Sequence, residues 1–305
     1  MNAELQVQLR AQIKQLDSIS TAPAILAPLL DLMRLPTEKI KVDKVVELIS
    51  YDGSLAAQCL RLANSPLFGT RSIETVRSAV MILGLERVRS LLFGLCVNRV
   101  VPKDKWVIGA EAYWRHSLGC ALVTQKLARK IEYPEPDKAY LAGLLHDLGF
   151  LVNSVLYTEQ FRGCLRRAAG EGVPLHDIEA QVLGFSHCDA GQFLCEHWGL
   201  SSELANAAGC HHDANLLCGA GPLACLVHLS DLLCRVNYLG YGYDETIGVD
   251  LGYDAAWQIL AAHYPELGHV DLVRLTLDIE GSMDQIAATV ESIFGATKAA
   301  ATALS

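Results

Sequence analysis

Apolar residues recur at intervals of three and four along almost the whole chain. The strict alternation that a half-buried strand requires is nearly absent. That period matches the 3.6-residue turn of an α-helix and predicts an all-α protein. The stretch RSIETVRSAVMILG (71–84) shows the pattern with its punctuation. Ser72 stands as N-cap, Gly84 closes the segment, and a second helix, LERVRSLLFGLCV, follows at once. No motif repeats at a fixed spacing, so the expectation is a multi-helix bundle rather than a solenoid. With 305 residues, 51% of them hydrophobic, the chain can bury one large or two medium cores.

Interruptions of the helical pattern divide the chain into three. Residues 1–104 form an N-terminal helical part that ends near RVVPKDKW, where Pro102 and three charges break the period. Residues 105–240 carry most of the ten His and form a second helical bundle. The Gly- and Tyr-rich run NYLGYGYDETIGVDLGYD (237–254) reads as a long loop. Two helices are expected in the C-terminal extension, 241–305, at AAWQILAAHY and SMDQIAATVESIFGA.

Composition narrows the function classes. The ten Cys include no CxxC pair, and spacings such as Cys188–Cys195 and Cys218–Cys225 fit no zinc ribbon or knuckle. They read as small core residues in a reducing, cytoplasmic setting. The N-terminal MNAELQVQLRAQIKQL is amphipathic and lacks the apolar core of a signal peptide. The run GPLACLVHLSDLLCRV contains His228 and Asp231 and is too short to span a bilayer. A net charge of −9 disfavours general nucleic-acid binding. The hairpin around Gly84, with Arg71, Arg77, Arg87 and Arg89, could be mistaken for a helix-turn-helix; no second basic cluster supports that, and these Arg are expected to decorate a hairpin or meet a partner.

One polar pair stands out because everything around it is apolar: His146–Asp147 in LAGLLHDLGF. Other helices repeat the anomaly. His116 lies on a stripe with Gly119, Cys120, Val123 and Leu127. His187 shares a face with Ala190, Gly191 and Leu194; His211 and His212 follow Leu204, Ala207 and Ala208; Asp231 follows Ala224 and Val227. A lone inward His is usually a hydrogen-bonded core residue. Five helices that all turn an imidazole or carboxylate inward need a shared remedy, since each unpaired buried polar group costs roughly 1–3 kcal/mol. A metal centre is such a remedy, and helical bundles build them from inward side chains. His116, His146, Asp147, His187, His211, His212 and Asp231 make seven ligands, too many for one tetrahedral ion. They suit two ions, with Asp147 bridging. Adjacent helical residues diverge by about 100°, so His146 and Asp147 can serve one centre only if the helix ends there; Gly149 is the expected terminator. Iron is the first expectation, with manganese, nickel or zinc as alternatives.

At these residues the sequence resembles the HD superfamily of metal-dependent phosphohydrolases, whose ligands run H…HD…H…H…D. It resembles the HDOD branch more fully, through SYDGSLAAQCLRLANSPLFG (50–69), SIETVRSAVMILGLERVRSLL (72–92), WRHSLGCA, AYLAGLLHDLGF, LGFSHCDAGQFLCEHWGL and PLACLVHLSD. The resemblance covers residues 15 to 235. It implies a bacterial signalling or regulatory protein that carries a dinuclear centre in an HD-type site and acts mainly through a signalling partner or a bound ligand. The alternative it implies is an active phosphohydrolase on nucleotides or cyclic dinucleotides, with a phosphate or nucleotide as ligand. A third reading is a vestigial bundle whose His and Asp pair with each other. Cyclic di-GMP phosphodiesterases of the related HD-GYP type carry HDxGK; here Phe150 replaces the Lys, and HHDANLLCGAGP lacks the GYP element. Arg166 and Arg167, read as a loop, are the candidate substitutes. The Glu that trinuclear relatives place one turn before the first His is Ala112, which argues against a third ion.

The remaining polar residues draw plainer readings. The second HD pair, His176–Asp177, is read as a coincidence, Asp177 being an N-cap or first-turn acid. His228 is either a residue that orients a ligand or a core His. Asp213 is read as a loop acid, His197 as exposed or half-buried, Asn64 as a brace for the LANSPLFG turn. His263 and His269 are assigned no role.

Overall fold

The computed structural model describes residues 1, 3–16, 26–35, 39–68, 72–100, 102, 105–213, 219–241 and 251–294. Among these every regular element is helical. The N-terminal part holds α1 (Ala3–Leu16), α2 (Leu26–Arg34), α3 (Val42–Ser50), α4 (Gly53–Ala63), α5 (Val76–Leu83) and α6 (Leu85–Val100). The central part holds α7 (Ala110–Lys130), α8 (Pro136–Leu145), α9 (Leu148–Leu156), α10 (Thr158–Glu171), α11 (Leu175–Leu183), α12 (His187–His197), α13 (Ser202–Cys210) and α14 (Pro222–Val236). Beyond it come a 3-10 turn at Leu251–Tyr253, α15 (Ala255–His263), α16 (Leu272–Glu280) and α17 (Met283–Phe294). One continuous cluster of buried apolar residues runs from Leu9 to Val290, so all three parts contribute to one core.

Helix α5 does not begin at Ser72. Thr75 is its N-cap, and its hydroxyl accepts from the Ser78 N–H. The cause lies in the preceding turn. Asn64, at the end of α4, accepts from the Ile73 N–H at 2.7 Å and donates to the Ile73 carbonyl at 2.9 Å. Its amide also donates to the Leu60 carbonyl. Ile73 is thereby held outside the helix, and the start moves to the next available hydroxyl. Asn64 is the expected brace. Gly84 closes α5 at φ 83°, a left-handed value that suits glycine.

Three of the hairpin arginines are engaged by other residues of the protein. Arg89 is buried; it pairs with Glu86 at 2.5 Å and donates to the carbonyls of Leu32 and Leu35, which ties α6 to the end of α2. Arg87 donates to Gln125 on α7 and lies over the Phe68 ring. Arg77 pairs with Asp43 on α3. Arg71 falls outside the described residues.

The C-terminal extension carries α16 in addition to the two expected helices, and α17 packs on α7 and α4. Of the expected loop, 242–250 falls outside the described residues. Its first residues turn back onto the bundle and bury Leu239. Pro136–Leu156 is apolar and long enough to cross a membrane by composition, but 89% of that window is buried, and it is two helices broken at His146–Asp147.

Two close crossings position the centre. On α8, a Cβ at Gly143 would lie 2.7 Å from the Cys120 carbonyl oxygen and 2.9 Å from the Ala121 Cα, so α7 and α8 meet backbone to backbone. On α9, a Cβ at Gly149 would collide with the His187 carbonyl oxygen and lie 2.9 Å from the Gly191 nitrogen of α12. Gly149 therefore does not terminate the helix, contrary to the expectation from the sequence. The break comes earlier, and Gly149 sits inside α9 where a side chain has no room. Gly149→Ala is expected to destabilise the fold by about 2 kcal/mol or more, because overpacking costs about 1–3 kcal/mol and the rigid contact here is backbone; the better helix propensity of Ala returns about 1 kcal/mol of that at most. Urea unfolding of both proteins measures it, and an equal or higher midpoint for the variant would contradict the packing argument.

Candidate metal centre

All seven sequence-expected donors converge on one place. His116 projects from the second turn of α7 and Asp231 from α14. His146 and Asp147 occupy the non-helical step between α8 and α9. His187 is the first residue of α12, a start fixed by a capping box in which Ser186 and Asp189 bond reciprocally. His211 is the C-cap of α13, and His212 follows it. His116, His146, His187 and His211 are wholly buried; Asp147 and Asp231 are 2% exposed. His212, at 12% side-chain exposure, marks the edge.

Asp147 lies at the middle. Its Oδ2 is 3.0 Å from His146 Nε2 and 3.5 Å from His116 Nε2. Its Oδ1 faces the other way, 3.4 Å from His211 Nε2 and 3.6 Å from His187 Nε2. Asp231 Oδ1 is 3.2 Å from His116 Nε2, and its Oδ2 is 3.6 Å from His212 Nδ1. The donors thus fall into two compact groups that share Asp147. His116, His146 and Asp231 form one, with Cys120; His187, His211 and His212 form the other, with Cys188.

The imidazoles are oriented alike. His116 Nδ1 is bonded to the Leu239 carbonyl at 2.8 Å, His146 Nδ1 to Gly143 O at 2.8 Å, His211 Nδ1 to Ala208 O at 2.8 Å, and His187 Nδ1 to Glu179 Oε2 at 2.6 Å. Each partner is an acceptor, so each Nδ1 carries the proton and each Nε2 lone pair points inward. Outer bonds of this kind fix metal-binding tautomers. Two buried atoms have no hydrogen-bond partner and face each other across the centre: His187 Nε2 and Asp147 Oδ1. The donor set therefore fits a cation: buried, lone pairs converging, carboxylates among imidazoles.

The electrostatics agree. Burial alone would raise the Asp147 carboxyl, but His146, His211 and His187 hold it well below the usual carboxylate range. Burial opposes ionisation of Asp231 too, and Arg235 with His116 and His212 outweighs it. His212 is pushed well down by burial and by the neighbouring His211. Burial works against a charged His211, yet Cys188 and Asp147 raise it to about 10. Cys188 falls to about 7, because His211 and His187 overcome the effect of its burial.

Several contributors are not in the sequence-derived set. Glu179, fully buried, accepts from the His187 N–H, His187 Nδ1–H and Asn153 Nδ2. Tyr241 donates its hydroxyl to Asp147 Oδ2 and packs on the His116 ring. His228 bonds the His211 carbonyl through Nδ1 at 2.5 Å and Asp254 through Nε2 at 3.0 Å, so it props a donor and is no ordinary core residue. The second HD pair is only half a coincidence. Asp177 is an exposed first-turn acid of α11, but the His176 ring stacks on His212 at 4.8 Å and 16°. The Cys reading also needs correcting: Cys120 and Cys188 are small core residues that belong to the donor groups. Among the described residues the Cys are all free thiols. Arg166 and Arg167 lie on helix α10, not a loop, and Arg167 is engaged by Glu171. Phe150, in the position of the missing Lys, is buried with its ring 4.3 Å from His187. Asp213 and His263 are exposed, and His197 is half-buried.

A family model for the HDOD domain matches residues 19–214. The chain belongs to the HDOD family. An HDOD domain protein of unknown function from Geobacter sulfurreducens has the same fold, with a TM-score of 0.76, 25% identity, and coverage of 96% of this chain and 99% of that one. Below 25% identity, where the likeness concerns the fold alone, are two more crystal structures. One is a candidate signal transduction protein from Marinobacter aquaeolei VT8, with TM-score 0.74, 22% identity, and coverage of 95% of this chain and 66% of that one. The other is a candidate phosphohydrolase from Shewanella amazonensis SB2B, with TM-score 0.70, 23% identity, and coverage of 92% and 97%. An uncharacterized protein of Treponema pallidum (strain Nichols) is 28% identical over 222 residues, 70% of this chain. The matched part spans only 42% of that protein's length. Within this HDOD chain, Glu179→Gln is expected to weaken metal retention about 10- to 100-fold, the usual penalty for losing a carboxylate behind a histidine ligand. Helical content should be unchanged. Competition with a chromophoric chelator measures it; equal retention by wild type and variant would remove Glu179 from the centre's support.

Proposed function

We propose that this HDOD protein holds two metal ions, one in each donor group, with Asp147 between them, and that it acts as a regulatory binding module. The observation that carries the reading is the placement of the Asp147 oxygens, each directed at a different pair of imidazole Nε2 atoms. His116, His146 and Asp231 would hold one ion; His187, His211 and His212 the other. Iron remains the first expectation, with manganese, nickel and zinc compatible with the same imidazole and carboxylate donors. Ions so placed would neutralise the buried carboxylates and, where water has access, acidify it.

What the chain's own residues do favours binding over turnover. Phe150 fills the place of a phosphate-binding Lys and stacks on His187 and Phe161. Tyr241 closes over Asp147 next to it, its ring edge-on to Phe150 at 5.1 Å. Six of the seven donors are almost inaccessible to water, which disfavours direct contact with a phosphodiester in this conformation. The regulatory reading therefore assigns the output to a signalling partner, with the N-terminal helices α1–α6 as the docking part and the input supplied by the partner, a ligand or metal occupancy. The phosphohydrolase reading keeps one favourable observation: the Arg235 guanidinium lies 3.3 Å from Asp231 Oδ2, a cation beside the donors that could meet a phosphate.

Elemental analysis of the purified protein should find about two ions per chain, as a two-metal site requires, and His146→Ala should lose them. Metal-free protein that is fully folded and stable would overturn the proposal in favour of the vestigial bundle. Loading should also weaken as pH falls. Ligand imidazoles must be neutral, and against the effect of their burial Cys188 and Glu179 raise His187, while Cys188 and Asp147 raise His211, so protons compete with a metal for both. Affinity therefore rises with pH across the neutral range; a flat profile would mean these imidazoles are not ligands. On a panel of phosphodiesters the loaded protein should be silent. Turnover abolished by Asp147→Asn would instead establish the hydrolase.

A further inference from the structure

We infer that Cys188 is a thiolate ligand of the ion held by His187, His211 and His212, which makes that half of the centre a mixed sulfur and nitrogen site. The inference rests on the dinuclear reading above and extends it to a donor that reading does not use.

Geometry comes first. Cys188 is the second residue of α12, directly after His187, and is buried. Its Sγ lies 3.9 Å from His211 Nδ1 and 4.0 Å from His211 Nε2. One ligand atom from each of His187, Cys188, His211 and His212 falls within 4.8 Å of all the others. Metal–sulfur and metal–nitrogen bonds of about 2.3 and 2.0 Å at a tetrahedral angle separate the two ligand atoms by about 3.5 Å, so the sulfur, 4.0 Å from His211 Nε2, is within about half an ångström of a ligand position. The independent sign of a ligand is His187 Nε2, a buried nitrogen with no hydrogen-bond partner, 3.6 Å from Asp147 Oδ1.

Charge then separates Cys188 from Cys120, which stands in the same relation to the other donor group, 3.5 Å from His116 Nε2. That group already has Asp231 for itself and a share of Asp147. The His187 group has three imidazoles and, as a direct anionic donor, only its share of Asp147; the Glu179 carboxylate stands behind it, on the far nitrogen of His187. A divalent ion there would meet fewer negatively charged ligand atoms than one on the His116 side, and unbalanced charge in a buried site is costly. A thiolate from Cys188 adds an anionic donor to the half with the fewest; one from Cys120 would add to the half that already has Asp231. The two positions then differ in kind. The His116 side is a harder nitrogen and oxygen site. The Cys188 side favours ions that accept sulfur, such as zinc, iron(II) or cobalt(II), over manganese or magnesium.

Cobalt(II) reports thiolate ligation directly through a sulfur-to-metal charge-transfer band in the near ultraviolet. The full-length protein, stripped and reloaded with cobalt(II), should show that band. Cys188→Ala should lose it while still binding cobalt at the His116 side, and Cys120→Ala should keep it. Cys188→Ser, closer in size, guards against a packing defect and should lose the band as well. Cobalt bound without the band, a band that survives in both Cys188 variants, or a band lost in Cys120→Ala would overturn the inference and leave the dinuclear reading standing. A wild-type protein that takes up no cobalt, iron or zinc would overturn both.

Discussion

The two non-helical residues between α8 and α9 are the constraint on which the centre depends. A continuous helix would turn His146 and Asp147 about 100° apart. Ending α8 at Leu145 and restarting at Leu148 frees both side chains to face one point. Asp147 occupies the N-cap position of α9, yet its side chain makes no capping bond there. An Asp in that position normally stabilises a helix start by about 1 kcal/mol. Here the carboxylate is turned away from the helix and toward four imidazoles and Tyr241. Local stability is given up for the centre, and tertiary packing must carry α9.

That packing comes from the glycine crossings. Gly143 lets α8 approach α7 closely enough for His116 and His146 to bring their Nε2 atoms within 3.3 Å. Gly149 and Gly191 let α9 and α12 touch backbones, which brings His187 up to Asp147. A centre assembled from five separate segments depends on how close the segments can come, and side chains at these points would hold them apart. The carbonyls behind the imidazoles belong to the same design. Gly143 O and Ala208 O come from the last turns of α8 and α13, where helical carbonyls lack intrahelical partners.

The seven donors were legible because helical periodicity places each on an otherwise apolar face, and because a buried polar side chain is costly enough to demand a reason. Their supporting residues were not, for reasons particular to each. Glu179 sits in LHDIEAQVL, where an acidic residue ordinarily faces solvent; only the three donors brought by His187 and Asn153 make its burial tolerable. Tyr241 belongs to a Gly- and Tyr-rich run with no period to say which way a side chain turns. His176 reaches His212 only through the packing of α11 against α12, which short-range pattern does not reveal. The start of α5 was misplaced for a similar reason: Ser72 and Thr75 are equal as caps in the sequence, and the distant Asn64 decides between them. Gly149 was noticed for the wrong property. It matters for its missing side chain, not for ending a helix.

The Phe150 and Tyr241 rings have a kinetic consequence. With Phe150 against His187 and Tyr241 against His116 and Asp147, six of the seven donors are screened from bulk water, while His212 reaches the edge. An ion seated behind these rings would leave more readily when α9 or Tyr241 moves aside, so the lifetime of occupancy would follow the rate of local opening as well as the strength of the bonds. A centre of this kind would fill as the bundle closes and afterwards retain a memory of the metal that was abundant when the chain folded.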